Sequence, residues 1–154
     1  MTTLDLTVRI GTLADVEREK LLWYEHAQAV HGNGHCAAPK LPVFRALEAE
    51  GRLVVAVVEG GGQVVGYAIA GLIADLHRDQ TRAWCSSLFV SPGYRRGGTA
   101  LRLMHALEHE CMARGASQMM WPAPADSTLD KMMRRMRGRY RAHEIVYTRS
   151  MVDG

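Results

Sequence analysis

The sequence predicts an α/β domain of the α+β kind, a central mixed and mostly antiparallel sheet flanked by helices, with elements in the order βααβββαβαβ. Three observations predict it. Short apolar runs with alternating or β-branched character are interleaved with longer runs in which apolar residues recur every three to four positions. Glycines and prolines punctuate the joints between these runs. Finally, Leu88-Phe89-Val90-Ser91-Pro92-Gly93-Tyr94-Arg95-Arg96-Gly97-Gly98-Thr99-Ala100 reads as a buried strand, a sharp turn, a glycine-bearing loop and the start of a helix.

Leu4 to Ile10 alternates as a strand does, with Leu4, Leu6, Val8 and Ile10 on one face. Thr12 opens a helix, Asp15 completing a shortened capping box. Leu13, Val16, Leu21, Tyr24 and Ala27 are expected on its buried side, and Gly32-Asn33-Gly34 at its end. Pro42 suits the first turn of a second, short helix carrying Val43, Phe44 and Leu47. Leu53 to Val58 and Gln63 to Ala74 form a hairpin about Gly60-Gly61-Gly62. Asp75 to Gln80 is a polar loop and Thr81 to Val90 the next strand. Gly98 to Arg114 is a helix closed by Gly115, with Ala100, Leu103, Met104, Leu107 and Cys111 as its apolar stripe. Ser117 to Trp121 reads as a short strand, Ser127 to Met136 as a helix, and Ile145 to Met151 as a last strand.

A length of 154 residues fits a single domain, 1–154, with a proper core. Hydrophobic content of 47% against 23% charged residues is the balance of a soluble globular chain, and no apolar run is long enough to span a membrane. Three cysteines cannot all pair internally, so a reduced, cytoplasmic setting is expected. The net charge of +3 is modest, but Arg134, Arg135, Arg137, Arg139 and Arg141 crowd one segment. No aromatic residue interleaves them before Tyr140, so a solvated face is expected there, not a nucleic-acid surface.

The strand–loop–helix joint aims unpaired backbone N–H groups and the positive end of a helix dipole at one point, where a phosphate can sit. Arg95 and Arg96 add cationic donors beside it. No Lys-Ser/Thr follows the glycines and no G-x-G-x-x-G is present, so neither a P-loop nor a dinucleotide fingerprint fits. The loop does resemble the acetyl-CoA loop of the GNAT N-acetyltransferases, Arg/Gln-x-x-Gly-x-Gly/Ala, with Arg95, Gly98 and Ala100 in the three places. The run from Tyr94 to Glu108 looks most like the variant of phage-type members.

That resemblance implies the GNAT fold and acetyl-CoA as cosubstrate of an N-acetyltransferase acting on a primary amine by direct attack on the thioester. It also implies that Leu88, Phe89 and Val90 hold the pantetheine arm, and that Arg95, Arg96, Gly97, Gly98, Thr99 and Ala100 hold the pyrophosphate. Ser127 or Thr128 falls near the place where the family often has a CoA-contacting Asn, and Ser127 is the candidate taken. Homodimers are common in the family. The strand that often carries the family's general base has no carboxylate here, and no Tyr stands where the general acid often does. His77 and Asp79 in the preceding loop are the candidate catalytic residues, with Asp75, Glu25, His26, His31 and His35 as further titratable groups. The alternative is a GNAT-like module that binds acetyl-CoA without turnover. His31, His35 and Cys36 are metal-ligand types, but the intervening glycines break the helix and no fourth ligand is evident, so no metal is expected. Cys85 as an acetylated nucleophile is set against a small apolar core residue, the simpler reading.

Overall fold

Alternation of side chains along the strands builds two cores, one on each face of a sheet. The computed structural model describes residues 5–31 and 41–152. Its elements are β1 (Thr7–Gly11), α1 (Leu13–Glu17), α2 (Lys20–His31), α3 (Leu41–Ala49), β2 (Leu53–Gly60), β3 (Gln63–Ala74), β4 (Thr81–Val90), α4 (Thr99–Ala113), β5 (Ala116–Met120) and α5 (Thr128–Arg135). A single turn of 3-10 helix, Pro92–Tyr94, separates β4 from α4. The chain divides into two compact units, Met1–Pro122 and Ala123–Gly154.

The first unit holds a five-stranded sheet in the order β1-β2-β3-β4-β5. Its first three pairings are antiparallel, and β4 with β5 is parallel. The parallel pair follows from connectivity, because a helical crossover through α4 returns the chain to the starting end of β4. The β2–β3 hairpin turns on Gly61 and Gly62, both at positive φ (60° and 80°). Such a two-residue turn matches the twist of the strands, and side chains other than glycine adopt it only with strain.

On one face Val54, Ala56 and Val58 of β2 meet Ala68, Ala70, Ala83 and Cys85, and α4 covers them with Leu103, Leu107 and Cys111. On the other, Leu53, Val55, Val57, Tyr67, Ile69 and Phe89 pack against Leu13, Val16 and Leu22, with Trp23, Phe44 and Leu47 at the margin. Because both faces of β2 are covered, it reads as a continuous apolar run instead of an alternating one. Arg9 ties β1, β2 and α1 together through Asp15 (3.0 Å) and Glu59 (2.6 Å). Asp15 also accepts the Thr12 backbone N–H at 2.8 Å, the capping contact read in the sequence. Glu48 of α3 accepts the Leu13 N–H at 2.7 Å, which joins α3 to the start of α1.

Two expectations are corrected. The first helical region is two helices, broken at Arg18–Glu19, and the break resets the helical phase. Leu22 is therefore buried, while Leu21 is 78% and Tyr24 52% exposed. Gly32-Asn33-Gly34 and Leu4 lie outside the described residues. The last strand, Ile145–Met151, is also absent. Residues 140–151 are neither helix nor strand, and Ile145, Tyr147 and Met151 are 79%, 88% and 85% exposed. β-propensity describes fit to a neighbouring strand, and among the described residues of the second unit α5 is the only regular element.

Leu107 is fully buried at the centre of the α4 face, so Leu107→Ala is expected to lower unfolding free energy by about 2–5 kcal/mol in urea titration. The Arg9 guanidinium holds the Asp15 carboxyl well below the usual carboxylate range, against the opposing effect of burial. A depressed folded-state pKa stabilises above the ordinary carboxylate value and loses that contribution as pH falls. Stability measured from about pH 4 downward should therefore decline, and Asp15→Asn should flatten that limb.

Candidate functional site

The site begins with what β4 lacks. On one side the strand pairs with β3 from Thr81 to Val90. On the other, β5 pairs only with Thr81, Arg82, Ala83 and Trp84. From Cys85 to Val90 no strand among the described residues pairs with that edge. A bulge makes the change of course: Ile69 faces Ser87 and Ala70 faces Cys85, leaving Ser86 as the extra residue, its hydroxyl donating to the Ile69 carbonyl at 3.3 Å.

Beyond the bulge the register fixes which backbone groups face the gap. The Ser91 N–H donates to Val65 O at 2.8 Å, so Ser91 and Phe89 point their backbone groups toward β3. Alternation then turns those of Leu88 and Val90 to the unpaired side. The Val90 carbonyl is indeed met from that side by Arg95 Nε, which donates to it at 2.7 Å.

The loop after β4 presents further donors. Gly97 and Gly98 both lie at φ +73°, and a Cβ on either would meet nothing within 4 Å. The space above them is open. Gly98 is the N-cap of α4 and brings no capping side chain. The first intrahelical bond runs from the Arg102 N–H to Gly98 O at 3.0 Å. The N–H groups of Thr99, Ala100 and Leu101 therefore precede the helical ladder. Thr99 is buried, its hydroxyl donating to Arg96 O at 2.8 Å, which fixes the loop to the helix start. Such a set of amides at a helix N-terminus suits an anion.

On the α2 side the end of β4 borders a cleft of about 440 Å³ lined by Tyr24, Glu25 and Gln28 from α2 and by Phe89, Ser91 and Arg95. The Ser91 hydroxyl donates to Glu25 Oε2 at 2.7 Å. The Arg95 guanidinium lies 5.4 Å over the Phe89 ring. His26 stacks on the same ring (centroids 4.9 Å, planes 13° apart), and its Nδ1 is hydrogen-bonded to the Tyr67 hydroxyl. Burial raises the Tyr67 pKa, so this phenol stays protonated across the neutral range.

The sequence-derived candidates are thus unevenly placed. Leu88, Phe89 and Val90 line the unpaired edge, and Arg95, Arg96, Gly97, Gly98, Thr99 and Ala100 form the loop and helix start beside it. His77 and Asp79 are exposed in the β3–β4 turn, at the other end of β4 from the loop, a separation of about 30 Å along a ten-residue strand. That turn is held by Asp75, which accepts the His77 N–H at 2.8 Å and pairs with Arg82 at 2.8 Å. Its pKa is lowered first by that N–H and next by the Gln80 side chain.

Ser127 is the N-cap of α5 in the second unit, its Oγ accepting the Asp130 N–H at 3.2 Å. In the same unit Arg134 pairs with Asp130 at 2.9 Å. Cys85 is buried, its thiol donating to Ser87 O at 3.3 Å, and burial pushes its pKa up to about 12. A thiol so held is a poor nucleophile, in agreement with the core reading. His35, Cys36 and the side chain of His31 lie outside the described residues.

An aromatic cleft of Trp23, Tyr24, Phe44 and Trp121 is suggested by residue type, but only Tyr24 lines the cleft. Trp23 and Phe44 pack on the sheet, and Trp121 donates to Glu108 at 3.1 Å. Tyr67 was not legible as a site residue. Its signal was a lone hydroxyl in an otherwise apolar strand, a group that must find a partner once buried.

The family model described as "Acetyltransferase (GNAT) family" matches residues 19–138. No curated protein matches the sequence. Among solved structures, an aminoglycoside acetyltransferase from an uncultured soil metagenomic sample is similar at a TM-score of 0.75 and 19% identity, over 97% of this chain and 100% of that one. AAC(6')-Iy, solved in complex with a bisubstrate analog of CoA, is similar at 0.71 and 18% identity, over 96% and 99% of the two chains. Glucosamine-6-phosphate N-acetyltransferase from Arabidopsis thaliana is similar at 0.69 and 13% identity, over 97% and 99%.

Tyr67→Phe removes the buried hydroxyl that is bonded to His26 Nδ1. It is expected to cost about 1 kcal/mol in denaturant titration and to restore solvent exchange at the His26 ring, visible by NMR.

Proposed function

This chain belongs to the acetyltransferase (GNAT) family, and we propose that it transfers the acetyl group of acetyl-CoA to a primary amine by direct attack on the thioester. The observation that carries the reading is the unpaired edge of β4 running into the amide-rich start of α4. An extended amide-bearing arm can pair with that edge as a strand would, and a pyrophosphate can sit on the N–H groups beyond it. AAC(6')-Iy was also solved with CoA, and both its complexes support this placement by likeness of fold.

The Leu88 N–H, turned to the gap, donates to the thioester carbonyl and stabilises the oxyanion that develops there. Val90 O accepts from the arm once Arg95 releases it, and Arg95 then serves the phosphates with the amides of Gly97 to Ala100. The amine nitrogen attacks the carbonyl carbon, the C–S bond breaks, and CoA leaves as thiolate. The nitrogen sheds its proton on the α2 side of β4, where His26 stands on Phe89. His77 and Asp79 are set back from Leu88 by at least seven residues of strand, about 23 Å, beyond direct proton transfer.

Calorimetric titration with acetyl-CoA, followed by an amine panel with thiol-release readout, tests this. Binding with release is the expected result. Gly98→Glu places a carboxylate on the phosphate position and should weaken binding at least about a hundredfold while the chain stays folded by circular dichroism. Unchanged affinity in that variant would remove the pyrophosphate assignment. Binding without release across the panel would leave a ligand-binding module. A tenfold fall in kcat on His77→Ala would return the proton to the β3–β4 turn.

A further inference from the structure

We propose that Glu25 determines acceptor specificity, selecting amines that carry a second positive charge; this deepens the reading above and rests on it. Among the described residues that line the cleft, only Glu25 and Arg95 are charged. Glu25 is held in place from below, since the Ser91 hydroxyl donates to its Oε2 at 2.7 Å, while no partner among the described residues engages Oε1. The second feature is a cation already seated in the cleft. The Arg95 guanidinium lies 5.4 Å over the Phe89 ring, so this aromatic wall accepts a positive charge.

That seat is provisional. Arg95 is anchored by one bond, Nε to the Val90 carbonyl at 2.7 Å, and the Val90 carbonyl lies on the edge that the pantetheine arm takes. When acetyl-CoA pairs with that edge and draws Arg95 to its phosphates, the cleft keeps a carboxylate and an aromatic face and loses their cation. The vacated place fits an ammonium or guanidinium group.

The chemistry says which nitrogen takes it. The nitrogen that attacks the thioester must present a lone pair, so it cannot be the one held as a cation by Glu25. Attack forms the N–C bond, expels CoA thiolate and releases the proton of the attacking nitrogen, while the distant cation is unchanged. Ser91 stands three residues beyond Leu88, about 10 Å along the strand. The acceptor class is therefore a diamine or polyamine with an aliphatic spacer of roughly that reach.

The test compares an eight-carbon α,ω-diamine with the α,ω-amino alcohol of the same length, both with saturating acetyl-CoA and thiol-release readout. Wild type is expected to favour the diamine by about tenfold or more in kcat/KM. Glu25→Gln keeps an acceptor for the Ser91 hydroxyl and removes the charge, and should collapse that ratio to within about twofold. Glu25→Asp, which keeps the charge on a shorter stem, should retain a preference. A flat ratio in wild type, acetylation of neither probe, or an unchanged ratio in Glu25→Gln overturns the inference. Calorimetry with acetyl-CoA runs alongside. Absent binding defeats the transferase reading itself, whereas intact binding with a flat ratio defeats only the role of Glu25.

Discussion

A strand paired fully on one side and only in part on the other is the constraint on which this molecule depends. β5 arrives beside β4 by a crossover through α4 and pairs with its first four residues. Past the bulge at Ser86 the remaining strand pairs, among the described residues, with β3 alone. Backbone groups deprived of partners carry a free-energy cost, so a stretch of this kind persists only where the surrounding packing holds it. Here Val90 and Leu88 are anchored in the α4 core and Phe89 in the opposite one. Both faces of the strand are fixed while its edge is left available.

The α4 helix serves this arrangement twice. Leu103, Leu107 and Cys111 cover the sheet, and its first turn presents N–H groups at the point where β4 ends. The two glycines allow the chain to turn between these roles in a backbone conformation other residues resist. Opposite α4, one turn of α2 supplies Glu25 to the loop and His26 to Phe89 and Tyr67. Loop, strand edge and cleft wall are thus connected through neighbouring residues of one helix.

Much of this was legible in the sequence, for a physical reason. β2, β3 and β4 are apolar and bounded by glycine turns or polar loops, and β4 was read at the bounds the structure has. The glycine-bearing joint between β4 and α4 was legible because its form resides in backbone geometry that glycine placement announces. What escaped depends on the third dimension. Nothing local reveals that two residues at Arg18–Glu19 shift the face of the following helix, or that Tyr67 and His26 meet across 41 positions. The β-like run Ile145–Met151 failed because strand pairing is a property of two segments. His77 and Asp79 were attractive by residue type and proximity in sequence, yet a ten-residue strand is long enough to carry neighbours in sequence to opposite ends of a domain.

An edge with unpaired amides and carbonyls also templates any extended backbone, including that of another copy of this chain. The chain meets that hazard where the edge ends. Arg95 blocks the Val90 carbonyl and sets a charge at the mouth of the gap, the same device by which soluble sheets discourage fibre-like stacking. The Arg95 side chain thereby acts as a gatekeeper against aggregation, and the protein's colloidal stability becomes linked to how that edge is covered.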